Sequence, residues 1–234
     1  MKEFSNKYTF IFATLLAVVV AVLLTLAALQ LQPFQERNIE IEKKRYILAS
    51  LNIGSTVDNA TELYQKFIVD VFTVDGAGTK KRNADGFSIN LKDELSKPAS
   101  LRNLPVFCGY IGTNDTCFVF PLIGKGLWGP IYGYVALRKD MNTIYGITFD
   151  HKGETPGLGA EITKNYFKQP FRGKVIFDDQ MVFNPVAVIK KGKAYNSQNR
   201  VDAVSGATIT SAGVQKMIYD CLLNYKAYLI KNKK

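Results

Sequence analysis

The chain has 234 residues, of which 47% are hydrophobic and 21% charged, with a formal charge of +10 at pH 7. That length accommodates one membrane anchor and one domain able to bury a core without covalent staples. Three cysteines without CxxC spacing and a single histidine exclude a disulfide scaffold, a zinc finger and an H-E-x-x-H metal centre, and no nucleic-acid-binding motif accompanies the basic balance.

Residues 8–29 are free of charge and rich in Leu, Val and Ala. These 22 residues form a helix long enough to cross about 30 Å of hydrocarbon. A cleaved signal peptide has a shorter apolar region, about 7–15 residues, so a retained anchor is expected. The chain divides into a short N-terminal segment 1–7, a transmembrane helix 8–31, a helical stalk 32–55 and one domain 56–234. Lys2 and Lys7 precede the helix and Arg37, Lys43, Lys44 and Arg45 follow it, a weak lean by charge toward a cytoplasmic domain. A basic surface also suits a domain whose neighbours are lipid headgroups.

Residues 35–51 carry helical spacing with mixed charge, and Gly54 and Ser55 break it. Asp58 is positioned to cap a second helix, with Ala60, Leu63, Tyr64, Phe67, Ile68 and Val71 on one face. Residues 75–101 are rich in Gly, Lys, Asp, Asn and Ser and read as exposed loop or short edge strand. Four runs dense in β-branched and aromatic residues follow, at 106–111, 117–123, 131–137 and 143–149. They predict antiparallel strands joined by short turns. Cys108 and Cys117 flank a turn signal at 112–115, and two readings stand: a bond across the hairpin, or buried free thiols. A helix is expected over 159–167, ending before Pro170, then strands at 175–177 and 186–190. Helices at both ends and strands between them give an α+β class, with a central, mainly antiparallel sheet and flanking helices.

The last element is the clearest. Val214, Met217, Ile218, Cys221, Leu222, Tyr225 and Leu229 form one apolar helical stripe. Before it stands Asp202-Ala203-Val204-Ser205-Gly206-Ala207-Thr208-Ile209-Thr210-Ser211. Locally this is an ordinary Ser/Thr helix start. The same start presents unpaired N–H groups and a partial positive charge, a seat for a phosphate.

The run Asp-x-x-Ser-Gly-Ala-Thr resembles the flavinylation motif of the covalent FMN-binding domain family. Gly124-Lys125-Gly126-Leu127-Trp128-Gly129-Pro130-Ile131-Tyr132-Gly133-Tyr134 and His151-Lys152-Gly153-Glu154-Thr155-Pro156-Gly157-Leu158-Gly159 also look like that family, in the same order. With the N-terminal helix, they are similar to its membrane-anchored branch in the sodium-translocating NADH:quinone reductase. The sister branch, in Rnf-type ferredoxin:NAD complexes, shares the Ser-Gly-Ala-Thr element.

The resemblance implies that a flavin transferase joins FMN through its phosphate to Thr208, with Thr210 and Ser205 as nearby hydroxyls that are not joined. Gly206 and Ala207 leave the hydroxyl accessible, and the N–H groups of Ile209, Thr210 and Ser211 receive the phosphate. Asp202 either positions transfer chemistry or caps the turn. Glu154, Thr155, Gly157, Leu158 and Gly159 form a second wall, with Leu158 against one flavin face. Trp128 stacks on the flavin, docks a partner or belongs to the core. Lys125 meets a phosphate or headgroup, although Gly124-Lys125-Gly126 lacks P-loop spacing. His151 reads as a surface residue.

The implied role is an electron relay in an inner-membrane complex that oxidises NADH, reduces quinone and exports sodium, with the other subunits as partners and the domain periplasmic. No dinucleotide fingerprint, catalytic group or metal ligand set is expected in this chain. A membrane-anchored binding or sensory domain without flavin is the competing reading.

Overall fold

The computed structural model describes residues 5–81, 86–112, 115–193 and 199–233. It divides into two compact units, one ending at Lys43 and one beginning at Lys44. The first consists of most of α1 (Asn6–Ser50), whose apolar N-terminal stretch is exposed throughout and is long and apolar enough to cross a membrane. Pro33 lies within this helix.

In the second unit α2 (Ala60–Phe67) leads into β1 (Ile68–Val74), then β2 (Lys80–Lys81) and α3 (Leu91–Ser96). Four long strands follow: β3 (Leu104–Tyr110), β4 (Thr116–Lys125), β5 (Pro130–Arg138) and β6 (Ile144–His151). A 3-10 turn at Gly159–Thr163, a single helical turn α4 (Asn165–Lys168) and another 3-10 turn at Gln169–Phe171 come next. The short strands β7 (Ala187–Ile189) and β8 (Arg200–Asp202) precede α5 (Thr208–Asn232). Among the described residues six strands form one antiparallel sheet in the order β2-β1-β3-β4-β5-β6, while β7 and β8 pair in parallel.

The sheet is covered on both faces, and the strand period of two assigns the faces. Val106, Phe120 and Val135 point to the larger core, where α5 packs with Val214, Met217, Ile218, Leu222 and Tyr225. Their chain neighbours Phe107, Val119 and Ala136 point to a smaller core with Ile47 and Leu51 at the end of α1. α5 lies close on β4. A Cβ at Gly124 would come within 2.6 Å of Met217 Cβ, and one at Gly213 within 2.3 Å of the Lys125 carbonyl oxygen. Tyr225 donates its hydroxyl to Pro105 O at 2.9 Å, so the largest buried side chain of the helix has its polar end satisfied.

Several expectations are corrected. The second helix stops at Phe67, and Ile68 and Val71 belong to β1, where β-branched side chains gain more from pairing with β3 than from extending a short helix. Asp58 does not cap α2; Thr56 and Asn59 exchange hydrogen bonds at its start. The stretch 75–101 holds α3, capped by Asn90, which accepts from Lys92 N at 3.0 Å. The expected helix over 159–167 is a 3-10 turn followed by one helical turn, and Pro170 sits inside the next 3-10 turn. At 175–177 there are only isolated bridges, Thr143 to Val175 and Phe177 to Phe183.

The three cysteines are free. Cys108 lies opposite Phe118 and Cys117 opposite Gly109, a one-residue offset. The offset puts Cys108 against the larger core and Cys117 inside the smaller one, on opposite faces of the sheet. Thr113 and Asn114 of the predicted turn fall outside the described residues.

Candidate functional site

Three loops meet at the N-terminal end of α5. The first joins β4 to β5, closed by Gly126 N donating to Gly129 O at 2.8 Å. The second follows β6 and runs from Lys152 to Leu158, with Gly157 at φ +74°. The third is the turn from Ala203 to Ala207 after β8, with Gly206 at φ +77°.

One side chain ties them together. Glu154 is 4% exposed. Its Oε2 accepts from Thr210 Oγ1 at 2.6 Å and its Oε1 from Trp128 N at 2.9 Å, while its own N–H donates to His151 Nδ1 at 3.2 Å. The glycines around it are required by space. A Cβ at Gly126 would lie 2.4 Å from Glu154 Oε1, and one at Gly159 would lie 2.2 Å from Oε2. A buried carboxyl group of this kind persists because its oxygens are hydrogen-bonded.

The hydroxyls of the third loop separate cleanly. Thr210 is 1% exposed and its hydroxyl is committed to Glu154. Ser211 is equally buried and accepts from Val204 N at 3.1 Å, which fastens the turn to the helix. Thr208, the first residue of α5, is exposed, as is Ser205. No side chain caps α5, whose N-cap position is Ala207. The N–H groups of Thr208, Ile209 and Thr210 therefore sit in the first turn without an intrahelical acceptor, with the positive end of the helix dipole. Ser211 N–H is already used, donating to Ala207 O at 2.9 Å, so it drops out of the expected set of phosphate donors.

The three loops and the start of α5 also expose large apolar side chains. Trp128 is 69% exposed, Ile209 59% and Leu158 42%. Trp128 thus belongs to the loop surface and not to the core. A Cβ at Gly206 would come within 2.7 Å of Leu158 Cδ2, so the second and third loops touch where glycine alone fits. Lys125 ends β4 with an exposed side chain, and Thr155 stays at the surface, its carbonyl accepting from Leu158 N and Ala160 N. Asp202 is an exposed member of β8 and does not cap α5.

Two contributions escape a sequence reading. His151 supports the second loop through Nδ1, and Gly213 lets α5 approach the end of β4. The signal available for Gly213 is a glycine inside an otherwise regular helix, a residue that costs stability there unless close packing requires it.

This surface can hold a flat, anionic ligand: an exposed hydroxyl and open N–H groups for a phosphate, beside exposed apolar side chains for a ring. Comparison with known proteins agrees. A family model described as FMN-binding domain matches residues 126–223, a span that contains all three loops. The C subunit of the Na(+)-translocating NADH-quinone reductase of Vibrio anguillarum is 34% identical over 227 residues, covering 90% of this chain and 88% of that protein. The crystal structure of the corresponding protein from Parabacteroides distasonis superposes with a TM-score of 0.79 at 39% identity, covering 85% of this chain and 96% of that one. NqrC from Shewanella oneidensis gives a TM-score of 0.68 at 28% identity, with 83% and 97% covered. The chain belongs to the NqrC family of the sodium-translocating NADH-quinone reductase, flavoproteins built on an FMN-binding domain.

Proposed function

We propose that this chain is a membrane-anchored electron-relay subunit of a sodium-translocating NADH:quinone reductase, and that it carries FMN bonded through its phosphate to Thr208. The observation that carries the reading is the contrast between two threonines in the same helical turn. Thr208 offers an exposed hydroxyl at the uncapped start of α5, whereas the Thr210 hydroxyl is buried and held by Glu154. A maturation enzyme, the flavin transferase, needs a hydroxyl it can reach.

When bound, FMN supplies the electron-carrying chemistry. The chain's own residues do the rest. The N–H groups of Thr208, Ile209 and Thr210 hold the phosphate, whose charge the helix dipole favours. Leu158, Trp128 and Ile209 offer the ring an apolar bed, and Glu154 fixes the distances between the loops that bear them. Lys125, Ser205, Gly157 and Thr155 line the rim. Electrons come from and pass to the other subunits of the complex, with the domain on the periplasmic side. The resemblance to the family supports that orientation over the weak charge asymmetry flanking the helix.

In-gel flavin fluorescence tests the reading, on denatured full-length protein made in cells containing the flavin transferase. Wild type and Thr210→Val are expected to fluoresce and Thr208→Ala to be dark. A fluorescent Thr208→Ala overturns the attachment site. A dark wild type, beside a control flavoprotein that glows in the same cells, overturns the covalent flavin itself and favours a binding domain without flavin.

A further inference from the structure

A cavity lies away from the three loops, within the same unit. It encloses about 560 Å³ and is lined by Ala49, Asn52, Ile53 and Gly54 after α1, Gly146 and Ile147 of β6, and Asn165, Lys168, Gln169 and Arg172 around α4. No carboxylate is among the lining residues. Lys168 and Arg172 have no carboxylate partner among the described residues either. This is unusual for a half-buried lysine, because a buried charge is ordinarily paired. Burial pushes the Lys168 ammonium down from its ordinary range.

The cavity is built by the fold and not left over from it. A Cβ at Gly146 would come within 2.3 Å of Ser50 O, so only glycine lets the end of α1 sit over β6 as one wall. Asn52 holds the left-handed conformation at φ +57° and donates Nδ2 to Tyr145 O at 3.2 Å, which fixes the turn. Arg172 lies over the Tyr145 ring, 5.5 Å from its centroid, which restrains the guanidinium beside the opening. Ile53, Ile147 and Ala49 supply an apolar floor, and Asn165 and Gln169 supply amides.

We infer that this cavity binds an organic phosphate, with Arg172 and Lys168 taking the phosphate oxygens and the amides of Asn165 and Gln169 taking hydroxyls on the attached group. A guanidinium fork and an ammonium match phosphate geometry, and the volume exceeds what inorganic phosphate alone needs. A glycerophospholipid headgroup and a soluble phosphomonoester share this chemistry. The inference stands independently of the flavin reading, because no residue is common to the two sites.

The test is protection of Lys168 from an amine-acetylating reagent, read by peptide mass spectrometry on the full-length chain in detergent. The probes are glycerol 3-phosphate and dihexanoylphosphatidylglycerol, each against sodium chloride of equal ionic strength. Lys216, which is exposed and paired with Asp220, is the internal control. One or both probes are expected to slow Lys168 acetylation severalfold while leaving Lys216 unchanged. Arg172→Gln is expected to raise the half-protecting concentration about tenfold or more, and Arg172→Lys by less, which separates lost recognition from lost fold. Protection by the short-chain lipid alone identifies a headgroup site, and protection by glycerol 3-phosphate as well identifies a soluble phosphoester site. No protection beyond chloride, or equal protection in Arg172→Gln, overturns the inference.

Discussion

Glu154→Ala tests whether the candidate site is held together from below. The wild-type carboxyl group accepts two hydrogen bonds, 2.6 Å from Thr210 Oγ1 and 2.9 Å from Trp128 N, at 4% exposure. Truncation leaves a buried hydroxyl and a backbone N–H without their acceptor, each costing about 1–3 kcal/mol. It also opens space against Gly126 and Gly159, whose backbones were brought in to meet the carboxylate. The loss is therefore about 3–5 kcal/mol if both donors stay dry, or a drop of roughly 6–20 °C in Tm for a domain of this size. Glu154→Gln keeps one acceptor toward Trp128 N, and the Thr210 hydroxyl can rotate to accept from the new amide, so it is expected to lose about half as much. The assay is urea unfolding of the full-length protein in detergent, followed by far-ultraviolet ellipticity. Emission from Trp128, the sole tryptophan, reports on the first loop directly. The alanine variant is expected to shift Trp128 emission before global unfolding and to take up less flavin. A loss below about 0.5 kcal/mol, the range of ordinary surface changes, with unaltered emission and flavin content, refutes the role assigned to Glu154.

Three further predictions follow from local geometry. Gly206→Ala puts a Cβ 2.7 Å from Leu158 Cδ2 at a positive φ. It is expected to cost about 1–2 kcal/mol and to reduce flavin attachment, which denaturant melts and in-gel fluorescence check together. The thiols are expected to be inert: burial pushes Cys117 up to about 12 and Cys221 up to about 11. Native protein at pH 8 should react with iodoacetamide far more slowly than urea-unfolded protein, and its mobility should be the same with and without reductant; a nonreducing shift sinks the free-thiol assignment. Asp140 is partly desolvated, which raises its pKa, but the Thr143 hydroxyl, the N–H groups of Thr143 and Asn142 and the Arg138 charge together hold it below the ordinary value. A depressed carboxylate contributes stability that is complete above its unfolded pKa of about 3.9 and is lost as pH falls through the folded value. Asp140→Asn should therefore lower stability at pH 7 and lose less than wild type on acidification below pH of about 4; parallel stability profiles for the two proteins refute it.

How much of this was readable beforehand depends on the range of the interactions. The long apolar helix, the four central strands and the last helix follow from local periodicity, which survives because each buries a face many residues long. Where elements are short the pattern fails. Ile68 and Val71 continue the helical spacing of α2, yet they lie in β1, where β-branched side chains pair with β3. β8 is three residues long and exists only through its partner β7.

The same divide runs through the candidate site. The chain order of Trp128, Glu154 to Gly159 and Ser205 to Thr210 carries the family likeness, and the helix start beneath Thr208 follows from capping residues and an apolar stripe. Sequence could not rank Thr208 against Thr210 by physics alone, since both are threonines in the same first turn. Tertiary structure distinguishes their surroundings, leaving the Thr208 side chain exposed and the Thr210 hydroxyl held by Glu154. The carboxyl group that claims Thr210 arrives from 56 residues earlier in the chain, and burial then makes that hydrogen bond obligatory for both partners. The two cysteines were settled in the same way: spacing allowed a bond, and a one-residue register offset turned the side chains to opposite faces of the sheet. Periodicity and motif are properties of neighbours in the chain, so the sequence alone determined the long apolar helix, the four central strands, the closing helix and the family. Which hydroxyl stays free, and which cations end up beside a cavity without a carboxylate, depend on groups far apart in sequence, and only folding brought those together.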